Sequence, residues 1–444
     1  MNRFRQLAMH PVNGASLGVF RAVFGGLVCL EMLRYWVAGI HRDTFLVPTF
    51  HFKYAGFEWL EPLPEGGMQL VFLAMVVGSA MVAVGWKTRI GAWVLFLSFT
   101  YGFLLEAAAY RNHTYLIALL AGWFIFLPSD RRFALDAGKY KDEEGVVPLW
   151  SLWAMRFQIG VVYLFAGLAK LDPLWLSGGS MRAVIAAGGH DAATVAMLNS
   201  PVVLNLLVFS GLAVDLFALP LLLWARTRKA MFISLAAFHL INALFLVDVG
   251  VFPWFMLAVT TLFFAPDWPD ALKGSQGQSE GRPREADKAA SNRMLSMGGT
   301  AALLAVVVVQ MALPLRHHVY PGSSTWTHEG HRWAWRMKLV AKEVDSYAFF
   351  AKDAETGQRF DLTPNADLAL TAWQREKMLR QPDLMVQFVA DMARRVEEQI
   401  GRDVTFHADI RLSEGGGPVR ALIDTTYDLS QARSGMAPAP YILR

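Results

Sequence analysis

The sequence predicts an all-α polytopic bundle of about nine membrane-spanning helices, followed by a small extracytoplasmic α+β domain. The first observation is composition: of 444 residues, 54% are hydrophobic and only 18% are charged, and the mean hydropathy is +0.33. The second is that apolar segments of membrane-spanning length recur through most of the chain, and the third is a return to a soluble composition near its C-terminal end. This composition excludes disordered proteins. The net charge of +4 does not indicate nucleic-acid binding, because the basic residues cluster in loops between apolar segments.

The apolar segments are predicted to be helices because most approach the roughly 20 residues that an α-helix needs to cross about 30 Å of hydrocarbon. They lie at 17–39, 68–86, 90–110, 113–127, 151–171, 200–224, 230–247, 251–265 and 297–315. The segments at 113–127 and 251–265 are short, so we expect the count to hold to within about one. We therefore predict a transmembrane helical domain over residues 1–315.

The Lys and Arg residues of the predicted loops are unevenly divided between the two sides of the bundle. If the N-terminus is cytoplasmic, the outer loops hold only Arg42, Lys53, Arg111 and Arg182, and the inner loops hold the others. The positive-inside rule therefore predicts a cytoplasmic N-terminus. An odd number of spans then places residues 316–444 outside the cytoplasm.

A hydrophilic stretch at 273–295 interrupts the apolar pattern and is rich in Gly, Ser and charged residues. We predict that it is a flexible cytoplasmic loop. The start of the chain is too polar for a cleaved signal peptide, so the first span is expected to remain as an anchor. Cys29 is the only cysteine, which leaves no internal disulfide and no cysteine-based metal site.

Residues 316–444 are predicted to form a soluble α+β domain. Alternating apolar residues in RWAWRMKLVAK and YAFFAKD predict a strand meander, and DVTFHADIRLS and PVRALIDTTYDL predict further strands. ADLALTAWQREKMLRQ and PDLMVQFVADMARRVEEQI have the pattern of amphipathic helices.

Ionisable side chains inside predicted spans are the first candidates for function, because they are costly to place in a bilayer. In the fifth span, Arg156, Tyr163 and Lys170 are spaced by seven residues and therefore lie on nearly one face of a helix. Lys170 is predicted near the outer boundary, beside Asp172 and Trp175. It is either a snorkelling lysine paired with a nearby carboxylate or a base on the outer side of the membrane.

Polar residues of other spans are predicted to reach the same membrane depth. They are Asn112 and His113 at the start of the fourth span, Glu106 at the end of the third, and Glu31 and Arg34 in the first. Each alone is more typical of an interfacial network or a helix cap. Together with Lys170 they suit proton abstraction from a lipophilic substrate.

Three further polar residues lie deeper in the predicted bundle. His239 and Asn242, one helical turn apart, are either ligand contacts or part of a hydrogen bond between helices, and Asp215 lies in another apolar span. The histidines lie in RHH at 316–318 and HEGH at 328–331, and because HEGH does not match the HExxH zinc pattern we predict no metal site.

Six motifs follow one another along the chain up to about residue 345. They are HPVNGASLGVFRAVFG, YRNHTYL, VPLWSLWAMRFQIGVVYLFAGLAKLDPLW, AFHLINALFLVDVGVFPW, APDWP and LPLRHHVYPGSSTWTHEGHRWAWRMKL. In this order they resemble the vitamin K-dependent gamma-glutamyl carboxylase family, and in particular its bacterial members with the HTTM-type membrane domain. The AGLAKLDPLW element is the most specific of them.

The resemblance implies a membrane enzyme that couples oxygenation of a reduced naphthoquinone to its epoxide with γ-deprotonation and carboxylation of peptidyl glutamate. It implies reduced vitamin K or menaquinol, O₂ and CO₂ as co-substrates, no metal, and the lipid bilayer and a glutamate-containing peptide or protein as partners. The γ C–H bond of glutamate is too weak an acid for a side chain to deprotonate. The strong base must therefore come from the quinone and O₂ in a dry site.

The resemblance also implies roles for individual residues. The lysine of the family's KLD element falls on Lys170, which would deprotonate the hydroquinone. The family's Asn-His pair falls on Asn112 and His113, and the histidine is suited to orient or stabilise the oxygenated intermediate or the carbanion. The expected quinone-binding residues are Arg156, Tyr163, His239 and Asn242.

Two departures from the family bear on its peptide substrate. Cys29 alone cannot form the disulfide of the animal members, and the region after the last span is much smaller than theirs. Quinone oxygenation is therefore better supported than carboxylation of a clotting-factor-like protein. The alternatives are a quinol epoxidase without carboxylation and a non-catalytic quinone-binding membrane module. The small soluble domain and the lack of disulfides favour a bacterial inner membrane.

Overall fold

The computed structural model describes residues 2–143, 145–245, 250–272, 294–337, 339, 341–353, 355–400, 404–433, 435 and 437–444. The predicted cytoplasmic loop at 273–295 lies outside the described residues, except for Met294 and Leu295. Helices dominate the chain up to residue 315, and a small sheet with helices follows, as the sequence predicts.

Among the described residues, nine helices occupy the predicted spans. They are α1 Ala15–Val37, α2 Glu65–Val84, α3 Thr88–Leu105, α4 Asn112–Phe124, α5 Leu149–Ala169, α6 Pro201–Leu223, α7 Arg228–Phe245, α8 Phe252–Thr260 and α9 Met297–Leu315. Six of them, within the described part of the chain, are long and apolar enough to cross a membrane: α1, α2, α3, α5, α6 and α9. The predicted number of about nine spans is therefore not established by helix length and hydropathy, because α4, α7 and α8 fall short.

The short helix α4 runs from the C-terminal region to the middle of α1. At its start, Asn112 Nδ2 donates to the carbonyl oxygen of Arg336 in the C-terminal region, at 3.2 Å. At its end, the ring of Phe124 packs 5.0 Å from the ring of Phe24 in the first half of α1. Packing against its neighbours thus sets the position of α4.

Shorter elements precede, connect and follow these helices. The α-helical segments are Asn2–Ala8, Ile40–Phe45, Pro173–Leu176, Gly179–Ala187, Ala192–Leu198, Trp268–Ala271 and Ser324–Thr327. The 3₁₀ segments are Ala107–Ala109, Leu135–Glu143, Thr261–Phe263, Arg316–Val319 and Leu429–Gln431. Strands β1 Pro11–Asn13 and β2 Val146–Pro148 form an antiparallel pair.

The C-terminal region contains a four-stranded antiparallel sheet with the order β4-β3-β5-β6. Its elements are β3 Lys342–Asp353, β4 Arg359–Asp361, α10 Thr363–Ala369, α11 Ala372–Arg380, α12 Pro382–Ile400, β5 Val404–Glu414 and β6 Arg420–Ala421. Phe349, Phe406 and Phe388 share one core between the sheet and α12. That core also includes Phe52 and Ala107 of the helical domain, so the two regions pack directly on one another.

Two details of the predicted C-terminal region are wrong. The segment RWAWRMKLVAK forms turns up to Trp335, and the strand begins only at Lys342. Trp333 and Trp335 have φ values of 67° and 55°, which is the left-handed region and is incompatible with an extended strand. The single helix predicted over ADLALTAWQREKMLRQ is two helices, because Thr371 starts α11 with a capping box.

Candidate functional site

A cavity of about 690 Å³ lies where α4 to α8 meet the C-terminal region. Aromatic and aliphatic side chains make up most of its wall. Of the seven predicted site residues, six line it: Asn112, His113, Tyr163, Lys170, His239 and Asn242. The structure thus brings together residues from three separate helices, α4, α5 and α7, with Lys170 just after the end of α5.

Lys170 follows the last residue of α5, and its side chain forms a buried ion pair. Its Nζ donates to Oδ2 of Asp215 in α6, and each side chain is 5% exposed. The ammonium also lies 5.0 Å from the ring centroid of Trp175, within the range of a cation–π contact. Lys170 is therefore a desolvated lysine held by a carboxylate and an aromatic face.

A glycine allows α5 and α6 to approach closely enough for this pair. A Cβ atom added to Gly167 would lie 2.7 Å from the backbone nitrogen of Leu216, which is closer than real Cβ atoms come. Gly167 is one helical turn from Lys170, and Leu216 is adjacent to Asp215. The small residue thus sets the distance between the two charged groups.

Asp172, the carboxylate beside Lys170 in the sequence, is engaged elsewhere. Its Oδ1 accepts from the backbone N–H of Leu174 at 2.9 Å and so caps a short helix. Its Oδ2 lies 3.3 Å from Nη2 of Arg336. The sequence did contain a signal for the actual partner, since Asp215 is the one acidic residue of the otherwise apolar α6.

Tyr163 and His239 form a second polar pair in the wall of the cavity. The Tyr163 hydroxyl lies 2.9 Å from Nε2 of His239, and both residues are 3% exposed. One turn further along α7, Asn242 Nδ2 donates to the carbonyl oxygen of Phe238 at 2.8 Å. His239 therefore forms the predicted hydrogen bond between two helices and also lines the cavity, whereas its predicted contact with a ligand stays a prediction.

Asn112 and His113 begin α4 at the extracytoplasmic end of the cavity. The amide of Asn112 is held from both sides: its Oδ1 accepts from the Tyr110 hydroxyl at 3.0 Å, and its Nδ2 donates to the Arg336 carbonyl. The His113 ring packs 5.8 Å from the ring of Phe252. His113 also lines a smaller neighbouring cavity of about 150 Å³.

Other predicted residues lie away from this cavity. Arg156 donates to the carbonyl oxygens of Leu262 and Phe264 at 2.8 and 3.2 Å, and it is not part of the cavity lining. Glu106 is buried and accepts from Gln374 Nε2 at 2.9 Å, so it joins α3 to the C-terminal region. The structure does not bring either residue to Lys170.

Two family comparisons match consecutive parts of the chain. The HTTM domain model matches residues 9–268, which is more than half of the chain, and the model for the lumenal domain of vitamin K-dependent gamma-carboxylase matches residues 296–444. The chain belongs to the vitamin K-dependent gamma-carboxylase family. No solved structure gives a significant match.

The carboxylase family membership fits the architecture of the site. Both matched regions line the cavity, since Lys170 and Asp215 come from the first and Arg336 and Lys377 from the second. The family implies a multi-pass membrane protein with an extracytoplasmic C-terminal domain and the involvement of a vitamin K hydroquinone. The cavity therefore lies at the junction of the membrane domain and the lumenal-type domain.

Three basic residues of this carboxylase-family cavity were not predicted from the sequence. They are Arg111 just before α4, Arg336 before β3, and Lys377 on α11. Burial lowers the pKa of Arg336, and the nearby Asp172 offsets part of that effect. In the sequence, Lys377 looks like a solvent-exposed residue of an amphipathic helix. Its place in the cavity lining becomes evident only from the packing of α11 over the cavity.

Proposed function

We propose that this protein is a vitamin K-dependent gamma-glutamyl carboxylase that acts at the outer side of the membrane. It couples oxygenation of a reduced naphthoquinone to its epoxide with removal of the γ proton of peptidyl glutamate and carboxylation of that carbon. The observation that carries the proposal is the buried pair of Lys170 and Asp215 in the wall of an apolar cavity, which Asn112 and His113 also line. Deprotonation of a lipophilic acid requires such a base in an apolar compartment.

The cavity fits a reduced naphthoquinone. Its volume of about 690 Å³ is within the range of small-molecule sites, and its lining is mainly apolar with a few polar groups. Trp175, Phe238 and Phe252 would hold the ring system, and Lys170 and Tyr163 would face its hydroxyl groups. When bound, the naphthoquinone supplies, with O₂, the reducing equivalents and the strong base that no side chain provides.

Lys170 is the proposed proton acceptor. The proton between the two groups moves to the Asp215 carboxylate, and the resulting neutral Nζ of Lys170 takes up a proton from an acidic hydroxyl in the cavity, so that the pair holds one more proton than before. Trp175 adds a second contact to the Lys170 ammonium. The apolar wall excludes water, which would otherwise quench a strong base before it reached the substrate.

The remaining predicted residues have supporting roles in this proposal. Asn112, fixed by Tyr110 and by the Arg336 carbonyl, orients a polar group of the substrate or co-substrate. His113 stabilises negative charge that develops on the glutamate. Tyr163 and His239 form a hydrogen-bonded pair that can pass or share a proton within the apolar wall.

The co-substrates are reduced vitamin K or menaquinol, O₂ and CO₂, and the protein partner is a glutamate-containing peptide or protein. We place the protein in a bacterial inner membrane with its N-terminus in the cytoplasm. The concentration of Lys and Arg in the predicted inner loops supports this orientation.

The experiment that tests the function uses the purified full chain in detergent. The protein is incubated with reduced vitamin K, carbon-14 bicarbonate, O₂ and a short Glu-containing peptide, and epoxide and acid-stable label are followed separately. We expect both products from the wild type and neither from Lys170→Ala. Lys139→Ala, which removes a lysine that has a 63% exposed side chain and does not line the cavity, is the matched control and should retain both.

Each other outcome points to one of the alternatives. Epoxide without labelled peptide, across several peptides, favours a quinol epoxidase. Neither product from folded protein favours a non-catalytic quinone-binding module. An unchanged rate in Lys170→Ala would remove Lys170 from the mechanism.

A further inference from the structure

The side chains that line the large cavity are strongly unbalanced in charge. Among the described lining residues, four are cationic, Arg111, Lys170, Arg336 and Lys377, and one is acidic, Asp215. Asp215 is paired with Lys170. For the other three cations, the described part of the lining supplies no second carboxylate.

Arg336 is the best defined of the three. The residue is 6% exposed, and its Nη2 lies 3.3 Å from Oδ2 of Asp172, which is not among the lining residues. Its Nε is buried and has no hydrogen-bond partner among the described residues. A buried guanidinium N–H without a partner is costly, and a ligand carboxylate would satisfy it.

Arg111 and Lys377 extend the positive charge towards solvent. Arg111 Nη1 is 3.4 Å from the hydroxyl of Tyr35, a neutral group. Lys377 retains access to solvent, yet the surrounding protein and then the charge of Arg111 lower its pKa, and the neighbouring Glu376 offsets only part of this effect. An anion at the mouth of the cavity would reduce the repulsion between the positive charges of Arg111 and Lys377, whereas a neutral ligand would not.

We propose that Arg111, Arg336 and Lys377 form a carboxylate subsite that binds the γ-carboxylate of the peptidyl glutamate and then both carboxylates of the product. This inference rests on the proposed function. In that reaction the γ C–H bond breaks, its proton passes to the base produced by quinol oxygenation, and its electron pair forms the bond to CO₂. The glutamate side chain gains one negative charge in this reaction. Cations that are already in position therefore stabilise the doubly charged product more than the singly charged substrate.

The test is a binding measurement that needs no turnover. A fluorescent Glu-containing peptide and its Glu→Gln analogue, which differ in charge and hardly in shape, are titrated with the full chain in detergent and followed by anisotropy. We expect the wild type to prefer the Glu peptide by roughly tenfold to a hundredfold, with the preference falling as salt is raised. Equal affinity for the two peptides would overturn the subsite.

A matched pair of variants on one helix locates the effect. Lys377→Gln should remove most of the preference for Glu over Gln. Arg375→Gln should keep it, because Arg375 pairs with Asp367 at 3.2 Å and does not line the cavity. Equal losses in the two variants would mean that general surface charge, and not the subsite, attracts the peptide.

The peptide-binding experiment and the activity assay can give independent results. If the wild type prefers the Glu peptide but makes neither epoxide nor labelled product, the carboxylate subsite stands and the proposed function falls. If both products form while the Glu and Gln peptides bind equally, the proposed function stands and the subsite falls.

Discussion

Lys170 and Asp215 form an ion pair between the end of α5 and the middle of α6, and each side chain is only 5% exposed. Neither charge is tolerable in this apolar wall without the other, because an isolated buried charge is far more costly than a pair. The two residues are therefore a single functional unit, although they lie far apart in the sequence.

Removing one member of this pair should harm both stability and activity. Asp215→Asn should lower the free energy of unfolding by about 3–5 kcal/mol and abolish epoxide formation, because it leaves Lys170 as an uncompensated buried cation. The double variant Lys170→Met, Asp215→Leu should recover most of the stability and none of the activity. Thermal unfolding and epoxide assays measure these effects. Wild-type stability in Asp215→Asn would contradict the pairing.

The hydrogen bond between Tyr163 and His239 should matter for turnover. Tyr163→Phe removes the hydroxyl that faces His239 and should slow epoxide formation roughly tenfold to a hundredfold, the equivalent of about 1–3 kcal/mol. Tyr101→Phe is the control, since its hydroxyl bonds to the Glu61 carbonyl away from the cavity lining. Equal rates in the two variants would show that the Tyr163 hydroxyl has no part in the reaction.

The close approach of α5 and α6 depends on Gly167. Gly167→Ala would place a Cβ 2.7 Å from the backbone of Leu216, so the helices must separate, and we expect a loss of about 1–3 kcal/mol in stability. Gly26→Ala in α1 is the control, because no atom lies within 4 Å of its added Cβ. Denaturation of both variants in detergent measures the difference. If Gly167→Ala leaves the stability unchanged, the contact between Gly167 and Leu216 does not hold Lys170 and Asp215 in place.

Lys342 should make stability depend on pH. Burial lowers its pKa from 10.5 to about 7, and its Nζ donates to the carbonyls of Trp326 and Arg380. Between these two pKa values the unfolded chain binds more protons than the folded protein. Stability therefore rises with pH through this window, by up to about 1.4 kcal/mol per pH unit, and falls as the pH drops towards 7.

Thermal unfolding between about pH 7.5 and about pH 9.5 tests this dependence. Lys342→Met should flatten the slope, whereas Lys352→Met on the same strand, where the lysine is only half-buried, should leave it unchanged. Identical slopes in the wild type and Lys342→Met would assign the pH dependence to other groups.

The family and much of the site could be predicted because the physical signals are local. An ionisable residue in an apolar span is costly wherever it lies, so Lys170, Tyr163 and His239 stand out without knowledge of their neighbours. Asn112 and His113 stand out because the polar pair opens an apolar segment. Six of the seven predicted residues accordingly line one cavity, and Arg156 does not.

Other features depend on which segments meet, and no local pattern encodes them. The alternation in RWAWRMKLVAK predicts a strand, but the left-handed backbone of Trp333 and Trp335 turns this segment over the cavity. The same packing brings Arg336 and Lys377 to the cavity, although each looks like an ordinary polar residue in the sequence.

By itself, the sequence determined the membrane character of the chain, the placement of its apolar helices and the presence of a costly lysine near the outer boundary. Each of these follows from hydrophobicity and spacing within one segment. The tertiary structure alone decided that Asp215, and not the adjacent Asp172, pairs with Lys170. The pairing depends on Gly167, which lets α5 and α6 approach closely, and on Arg336, which forms an ion pair with Asp172. The contact of Gly167 with Leu216 and that of Arg336 with Asp172 each join residues that are distant along the chain.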